Sequence, residues 1–345
     1  MLLDFVVDTN GNATEPTVMR SNSPGFEAPA IDAILQWKFT PGIRNGRPVH
    51  TRMRIPIIFH LFDEDGISIT KTAYDTPQPG RNQTAKMPGG LRYDVPPKPY
   101  NVIYPVYPYE MLRDGKTGEA SVAVLVTAPN AAPPSVDDLS AALRKIFPDA
   151  NAAEIAALLG KTKVVVINGG GPSHLTVIKQ TAPEFGHAVL AACEYFRFTP
   201  AKLGGKPTNA LATITQTFDN SSLFVTDEDR DMLRLEQKSP GKIVAAGKLD
   251  AVPKRIVTRQ PPFPLAARQE NLTEGKAVVE FLIDTEGKVR LPRIISSTHP
   301  SFGYMSVQTV ANWRYEPPKS GGKPVVTRVR VPFNFTTTDT KSSAR

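Results

Sequence analysis

The segment Gln36–Phe59, QWKFTPGIRNGRPVHTRMRIPIIF, recurs without a gap as Asn312–Phe335, NWRYEPPKSGGKPVVTRVRVPFNF, 276 residues later. At that offset Asp8 falls on Asp284, Gly11 on Gly287, Pro16 on Pro292, Trp37 on Trp313 and Phe39 on Tyr315. Gly46 then falls on Gly322, Pro48 on Pro324, Arg52 on Arg328 and Arg54 on Arg330. Such a repeat constrains the fold more than local propensity does, because each copy has to build the same unit. A third, weaker copy, YFRFTPAKLGGKPTNALATITQTF (Tyr195–Phe218), has Phe196 in place of the tryptophan. It keeps Phe198, Pro200, Gly205, Pro207 and Phe218 in register. Upstream, Val95–Met111 resembles Ala251–Ala267, with Tyr107-Pro108 facing Phe263-Pro264.

The chain therefore reads as three related units. Residues 1–62 form the first and 63–94 a linker. Residues 95–219 form the second, with a helical insertion at about 129–162, and 220–250 a second linker. The third unit spans 251–336, followed by a tail at 337–345. Unit one begins at MLLDFVVD, already inside its first strand, which leads to the expectation of a cut or incomplete N-terminus.

Unit three shows what each copy builds. PFPLAARQENLTEG opens with proline and ends with glycine, which suits a short helix. Lys276–Asp284 reads as a strand by its two-residue period, with Val279, Phe281 and Ile283 on one face. Thr285-Glu286-Gly287 makes a tight turn, and Lys288–Ser297 returns antiparallel, with Pro292 pointing to a sheet edge. Pro300–Tyr315 is helical, its buried stripe being Phe302, Ser306, Val310 and Trp313, repeated in unit one as Phe26, Ala30, Ile34 and Trp37. Losing such a buried tryptophan costs about 3–5 kcal/mol. In the last strand Val325, Thr327, Val329, Val331 and Phe333 face inward and Arg328 and Arg330 outward. The intervening helix separates this strand from the hairpin, so it joins beside the first strand and leaves one of its own edges open.

The expected fold class is α+β: in each unit a small antiparallel three-stranded sheet with two helices on one face. Unit two adds two helical patterns, SVDDLSAALRKIF with Ser135 as cap and NAAEIAALLG with Asn151 as cap. Either Gly118–Ala128 or Lys163–Ile167 can supply its central strand, and the first fits better, with the helices inserted into the hairpin.

Composition limits function. The net charge of +8 is spread over all units, which describes a solvated surface rather than a nucleic-acid track. Cys193, the single cysteine, stands at the apolar position of Ile34 and Val310 and reads as core; no disulfide framework is possible. No run reaches the ~18 apolar residues of a membrane span and no signal peptide is visible. The five histidines show no metal-ligand spacing. GKT at Gly160–Thr162 lacks the upstream glycine of a phosphate loop, and no acid pair or serine–histidine arrangement recurs across units. The chain reads as non-enzymatic, with no cofactor.

Phe263-Pro264, Asp284-Thr285-Glu286-Gly287, Ser296-Ser297, Trp313-Arg314-Tyr315-Glu316-Pro317, Gly322-Lys323-Pro324 and Pro332-Phe333-Asn334-Phe335 follow one another in unit three. In this order and spacing they resemble the C-terminal domain of TonB-family energy transducers. The resemblance implies a periplasmic domain that captures the TonB box, a short extended segment of a TonB-dependent outer-membrane transporter. Capture is by strand addition beside the last strand. It implies partner-binding residues Thr327, Arg328, Val329, Arg330, Val331 and Phe333, with counterparts Thr51, Arg52, Met53, Arg54 and Ile55 in unit one. A preceding segment would add an inner-membrane anchor and proton-channel partners. Such transducers usually carry one such domain behind a membrane helix and a proline-rich spacer, whereas three copies stand here. A second reading therefore stays open: a periplasmic structural adaptor whose repeats bind one another or, through basic faces, peptidoglycan.

Overall fold

A computed structural model of the chain describes residues 2–20, 27–44, 46–56, 72–75, 87–101, 103–129, 131–146, 172–219 and 225–337. Among these it is α+β, with seven α-helices and several small antiparallel sheets. The N-terminal sheet comprises β1 (Leu2–Val7), β2 (Ala13–Arg20) and, after helix α1 (Glu27–Gln36), β3 (Thr51–Pro56), in the order β2-β1-β3. Then come β4 (Thr72–Asp75), α2 (Tyr109–Arg113), β5 (Gly118–Val126), α3 (Val136–Ile146), β6 (Pro172–Gln180), α4 (Pro183–Cys193) and β7 (Ala210–Phe218). The four strands of this middle sheet lie in the order β4-β7-β5-β6. The last part holds α5 (Asp227–Lys238), α6 (Leu265–Gln269), β8 (Glu274–Ile283), β9 (Val289–Ser297), α7 (Pro300–Val310) and β10 (Thr327–Thr336), with sheet order β9-β8-β10.

In all three sheets the strand after the helix joins beside the first strand of the hairpin, and all pairings are antiparallel. Pro292 lies on the edge strand β9, and β5 is central in the middle sheet. The second helical pattern of that region and Lys163–Gly171 lie outside the described residues. Ser135 caps α3, its hydroxyl accepting from the Asp138 N–H at 3.1 Å.

One joint explains why the repeat keeps both D-x-x-G and an aromatic at the helix exit. Asp284 Oδ1 accepts from the N–H groups of Glu286 (2.9 Å) and Lys288 (2.8 Å), which folds the hairpin turn. Gly287 then takes φ +84°, and its carbonyl accepts from the Tyr315 N–H at 2.9 Å. Unit one repeats the joint: Asp8 Oδ1 accepts from Asn10 and Asn12 at 2.8 Å each, and Gly11 (φ +80°) accepts from Phe39 at 2.8 Å. A Cβ on Gly287 would stand 1.9 Å from the Tyr315 carbonyl oxygen, and one on Gly11 2.2 Å from that of Phe39. Glycine is required twice over, for the left-handed backbone and for the close approach.

The buried helix stripe holds in the C-terminal part, where Phe302, Ser306, Val310 and Trp313 are all buried. In the N-terminal part Ala30 and Ile34 are buried, but Trp37 is 48% exposed and Phe26 lies outside the described residues. The difference has a local cause. Trp313 meets the strap at Arg259, whose carbonyl accepts its indole N–H at 3.1 Å. Trp37 sits at the rim beside Phe39, ring centroids 6.2 Å apart.

The middle and C-terminal sheets share one apolar core. Phe185, Val189 and Phe196 belong to the same buried cluster as Phe281, Phe302 and Trp313, and α4 packs on α7. Buried side chains also cross between the two. Gln308 donates to the Tyr104 carbonyl and accepts from the Val106 N–H, each at 3.0 Å. Tyr195 and Thr309 hydroxyls are 2.8 Å apart, and Gln269 bonds both the N–H and the carbonyl of Leu175. The N-terminal sheet docks separately: Val257 enters its core, Arg259 pairs with Glu27, and Arg314 pairs with Asp32.

At the junction, Glu194 Oε2 accepts from the Leu265 N–H at 2.8 Å. Burial pushes its carboxyl up to about 8, while the N–H groups of Leu265 and Ala266 pull it back. A carboxyl whose folded pKa exceeds its unfolded value near 4.5 keeps its proton in the folded state, so stability falls as pH rises from there through about 8. Thermal melts from about pH 6 to about pH 9 should therefore show a loss in the parent chain that Glu194→Gln largely abolishes. Gly287→Ala should lower stability by about 2 kcal/mol or more in denaturant titrations. Substituting the exposed turn glycine Gly241 should change it by less than about 1 kcal/mol.

Candidate functional site: the outer sheet edges

A strand in an antiparallel ladder turns alternate residues' N–H and C=O groups toward its neighbour and the rest away. The Thr337 N–H donates to the Thr273 carbonyl at 2.9 Å, which sets the phase between β10 and β8. By alternation Phe335, Phe333, Val331, Val329 and Thr327 bond β8, whereas Arg328, Arg330, Pro332, Asn334 and Thr336 point their backbone groups outward. The Val244 N–H, donating to the Val326 carbonyl at 2.8 Å, has the same phase and covers the start of that outer edge. No strand of the sheet lies beyond β10, so the outward groups from Arg330 to Thr336 form a bare edge among the described residues.

The structure separates the sequence-derived residues by role. Thr327, Val331 and Phe333 are buried and anchor β10 to the core, and Val329 is partly buried. Arg328 is half-covered, and Arg330 is exposed on the bare edge. In unit one β3 is likewise an edge strand, with Met53 and Ile55 packed on the core and Arg52 and Arg54 exposed; Thr51 is partly buried. The middle sheet differs, because β4 already pairs with β7 there. That strand falls inside the expected 63–94 linker, and its four residues carry no pattern strong enough to mark it.

Sequence reading also missed the carboxylates beneath these edges. Glu280, 4% exposed at the centre of β8, takes Arg293 Nε at 3.1 Å, Arg330 Nη2 at 2.6 Å and Arg328 Nη1 at 3.4 Å. Helix α5 closes over this face: Glu236 takes Arg293 Nη1 at 2.9 Å, Arg328 Nη2 at 2.5 Å and the Tyr109 hydroxyl at 2.7 Å. In unit one the buried Asp4 takes Arg52 Nε at 2.6 Å and Arg54 Nη2 at 2.8 Å. The repeat contained the signal, since Asp4 falls on Glu280 at the same offset that pairs the arginines. The middle sheet replaces the whole set with Ala123, Leu211 and Thr213, and α3 covers that face with Leu139, Ala142 and Leu143.

The clusters fix the two outward arginines of β10 over the sheet face rather than over its edge, leaving the edge backbone accessible. Burial pushes the Glu280 carboxyl up, but hydrogen bonds from Arg293 and Arg330 and the charges of Arg293 and Arg328 outweigh it and hold it below its ordinary value. Its stabilisation is present above the unfolded carboxylate pKa and is lost as pH falls through the depressed one. Glu280→Gln should cost about 2–3 kcal/mol near neutral pH by urea unfolding, with a smaller difference at about pH 3.

Residues 1–61 and 259–337 match the family described as Gram-negative bacterial TonB protein C-terminal. A stretch of 62 residues is 36% identical to Protein TonB of Vibrio cholerae serotype O1 (strain ATCC 39315 / El Tor Inaba N16961). That match covers 18% of this chain and spans a quarter, 25%, of the relative's length. The matched residues include the N-terminal and C-terminal sheets, their D-x-x-G joints and their edge strands β3 and β10. Residues 1–61 and 259–337 are thus each similar to the TonB C-terminal domain.

Proposed function

We propose that this chain is a TonB-like periplasmic protein of three tandem TonB C-terminal-like units, the middle one interrupted by a helical insertion around α3. In this reading it binds TonB-dependent outer-membrane transporters by accepting an extended segment beside β10, and by the counterpart edge β3, in energy-coupled nutrient transport. The unit boundaries follow the repeat: 1–62, 95–219 and 251–336. Its work is protein recognition rather than catalysis.

The observation that carries the reading is the bare outer edge of β10 from Arg330 onward, in a domain of the TonB C-terminal family. Unpaired N–H and C=O groups on an edge offer main-chain bonds to a partner strand, and pockets for alternate side chains supply selectivity. The buried Val331 and Phe333 support it further, because they hold the accepting strand rigid against the core. No helix among the described residues is long and apolar enough to cross a membrane.

The shared core between the middle and C-terminal sheets favours a second reading, a rigid periplasmic adaptor without energy transduction. One titration separates the two. Synthetic TonB-box peptides added to the isotope-labelled full chain should shift backbone amide signals along Thr327–Phe333, most strongly at Arg330. Unchanged amides along that stretch at millimolar peptide would reject transporter capture and leave the adaptor.

A further inference from the structure

Among the described residues the middle sheet is the one in which a strand is already added, and a single residue distinguishes its edge from the others. The Thr181 N–H donates to the Glu119 carbonyl at 2.9 Å, so Glu119 faces β6. By alternation Ala120, Val122 and Val124 face β7, bonding Gln216, Ile214 and Ala212 opposite them. Leu211, Thr213 and Thr215 therefore turn their backbone groups outward, and two of them meet β4: Thr213 lies opposite Asp75 and Thr215 opposite Ala73.

With Phe218 aligned on Phe59 and Phe335, Thr215 occupies the position of Pro56 and Pro332. Pro332 is an outward position of β10, where proline offers a carbonyl but no N–H. A strand added to β10 goes without one donor at that position, while Arg330, Asn334 and Thr336 keep theirs. β7 has no such gap. Its edge presents N–H and C=O groups at every outward residue, and it is the edge that carries an added strand.

We propose that the outer edge of β7 is a strand-receiving site and that residues 72–75 fill it in cis. An external extended segment would bind antiparallel to β7 by displacing them. This rests on the strand-addition reading but assigns the receiving edge to the unit outside the family match. β4 pairs with Thr213–Gln216, four of the nine residues of β7, so its contacts are few. Tethering compensates by raising its effective concentration to about the millimolar range. The occupant to expect is a segment of five or more residues without proline at its bonding positions, which can outcompete β4 by pairing further along β7 toward Leu211.

Amide hydrogen exchange on the full chain tests this, with Thr215→Pro and Ala73→Pro as variants. In the parent chain the amides of Ala73 and Asp75 should exchange at least tenfold slower than in an unstructured peptide. Thr215→Pro should lose that protection at both residues and Ala73→Pro, which has no amide at 73, should lose it at Asp75, while the β5 amides stay protected. A fluorescent peptide of residues 70–76 should then bind Ala73→Pro at least tenfold tighter than the parent chain, and should not bind Thr215→Pro. Unprotected Ala73 and Asp75 in the parent chain, or equal peptide binding by all three chains, would overturn the proposal. If Thr215→Pro does not fold, the parent and Ala73→Pro still decide it. The readout needs no transporter peptide and no β10 amide, so its failure is separable from failure of the transporter reading.

Discussion

The ladder between the last strand and the first strand of the hairpin governs this molecule. In each sheet it commits alternate backbone groups of the last strand inward and leaves the others outward. The helix before that strand makes this placement necessary, because the chain returns on the far side of the hairpin's first strand. The turn glycine and the helix-exit aromatic lock the return: Gly287 to Tyr315 in one copy and Gly11 to Phe39 in another. Everything that makes an edge available or unavailable follows from this geometry.

The face of each sheet opposite the helix stripe is managed differently in the three cases. The N-terminal sheet neutralises its buried Asp4 with two exposed arginines. The C-terminal sheet builds a larger network around Glu280 and closes it with α5, which docks through Glu236 and Asp229 and lays Met232, Leu233 and Leu235 on the apolar group around Leu282 and Leu291. The middle sheet goes apolar and covers the face with α3. A buried carboxylate held by several arginines gains specificity of arrangement more than net stability, since desolvation offsets much of the attraction. An apolar face sealed by a helix gains more from burial but needs extra chain to cover it.

These choices bear on how the three sheets sit together. Apolar burial continues from the middle sheet into the C-terminal one through α4 and α7, and neutral amides such as Gln269 and Gln308 satisfy the backbone groups trapped between them. The N-terminal sheet is attached instead by charge pairs and a short strap at Val257–Arg259. The first junction behaves as an interior and the second as a contact between neighbours.

The repeat by itself pointed to a hairpin, a helix and a last strand beside the hairpin's first strand, the arrangement that the N-terminal and C-terminal sheets share. Spacing of aromatics, glycines and prolines is local information, and each element serves a nearby joint: Asp284 and Gly287 in the turn, Phe302 and Val310 on the helix, Pro292 on the edge. The exposure of Trp37, the covering of Arg328, the charge network under β10 and the pairing of β4 with β7 were decided only by tertiary structure. Each depends on what another part of the chain brings to a surface. Arg259 meets Trp313 from 54 residues away along the chain, Glu236 meets Arg328 across 92, and residues 72–75 reach β7 across more than a hundred. A pattern within one unit records the contacts that unit makes with itself, and which segment will lie along its open edge is set by the rest of the chain.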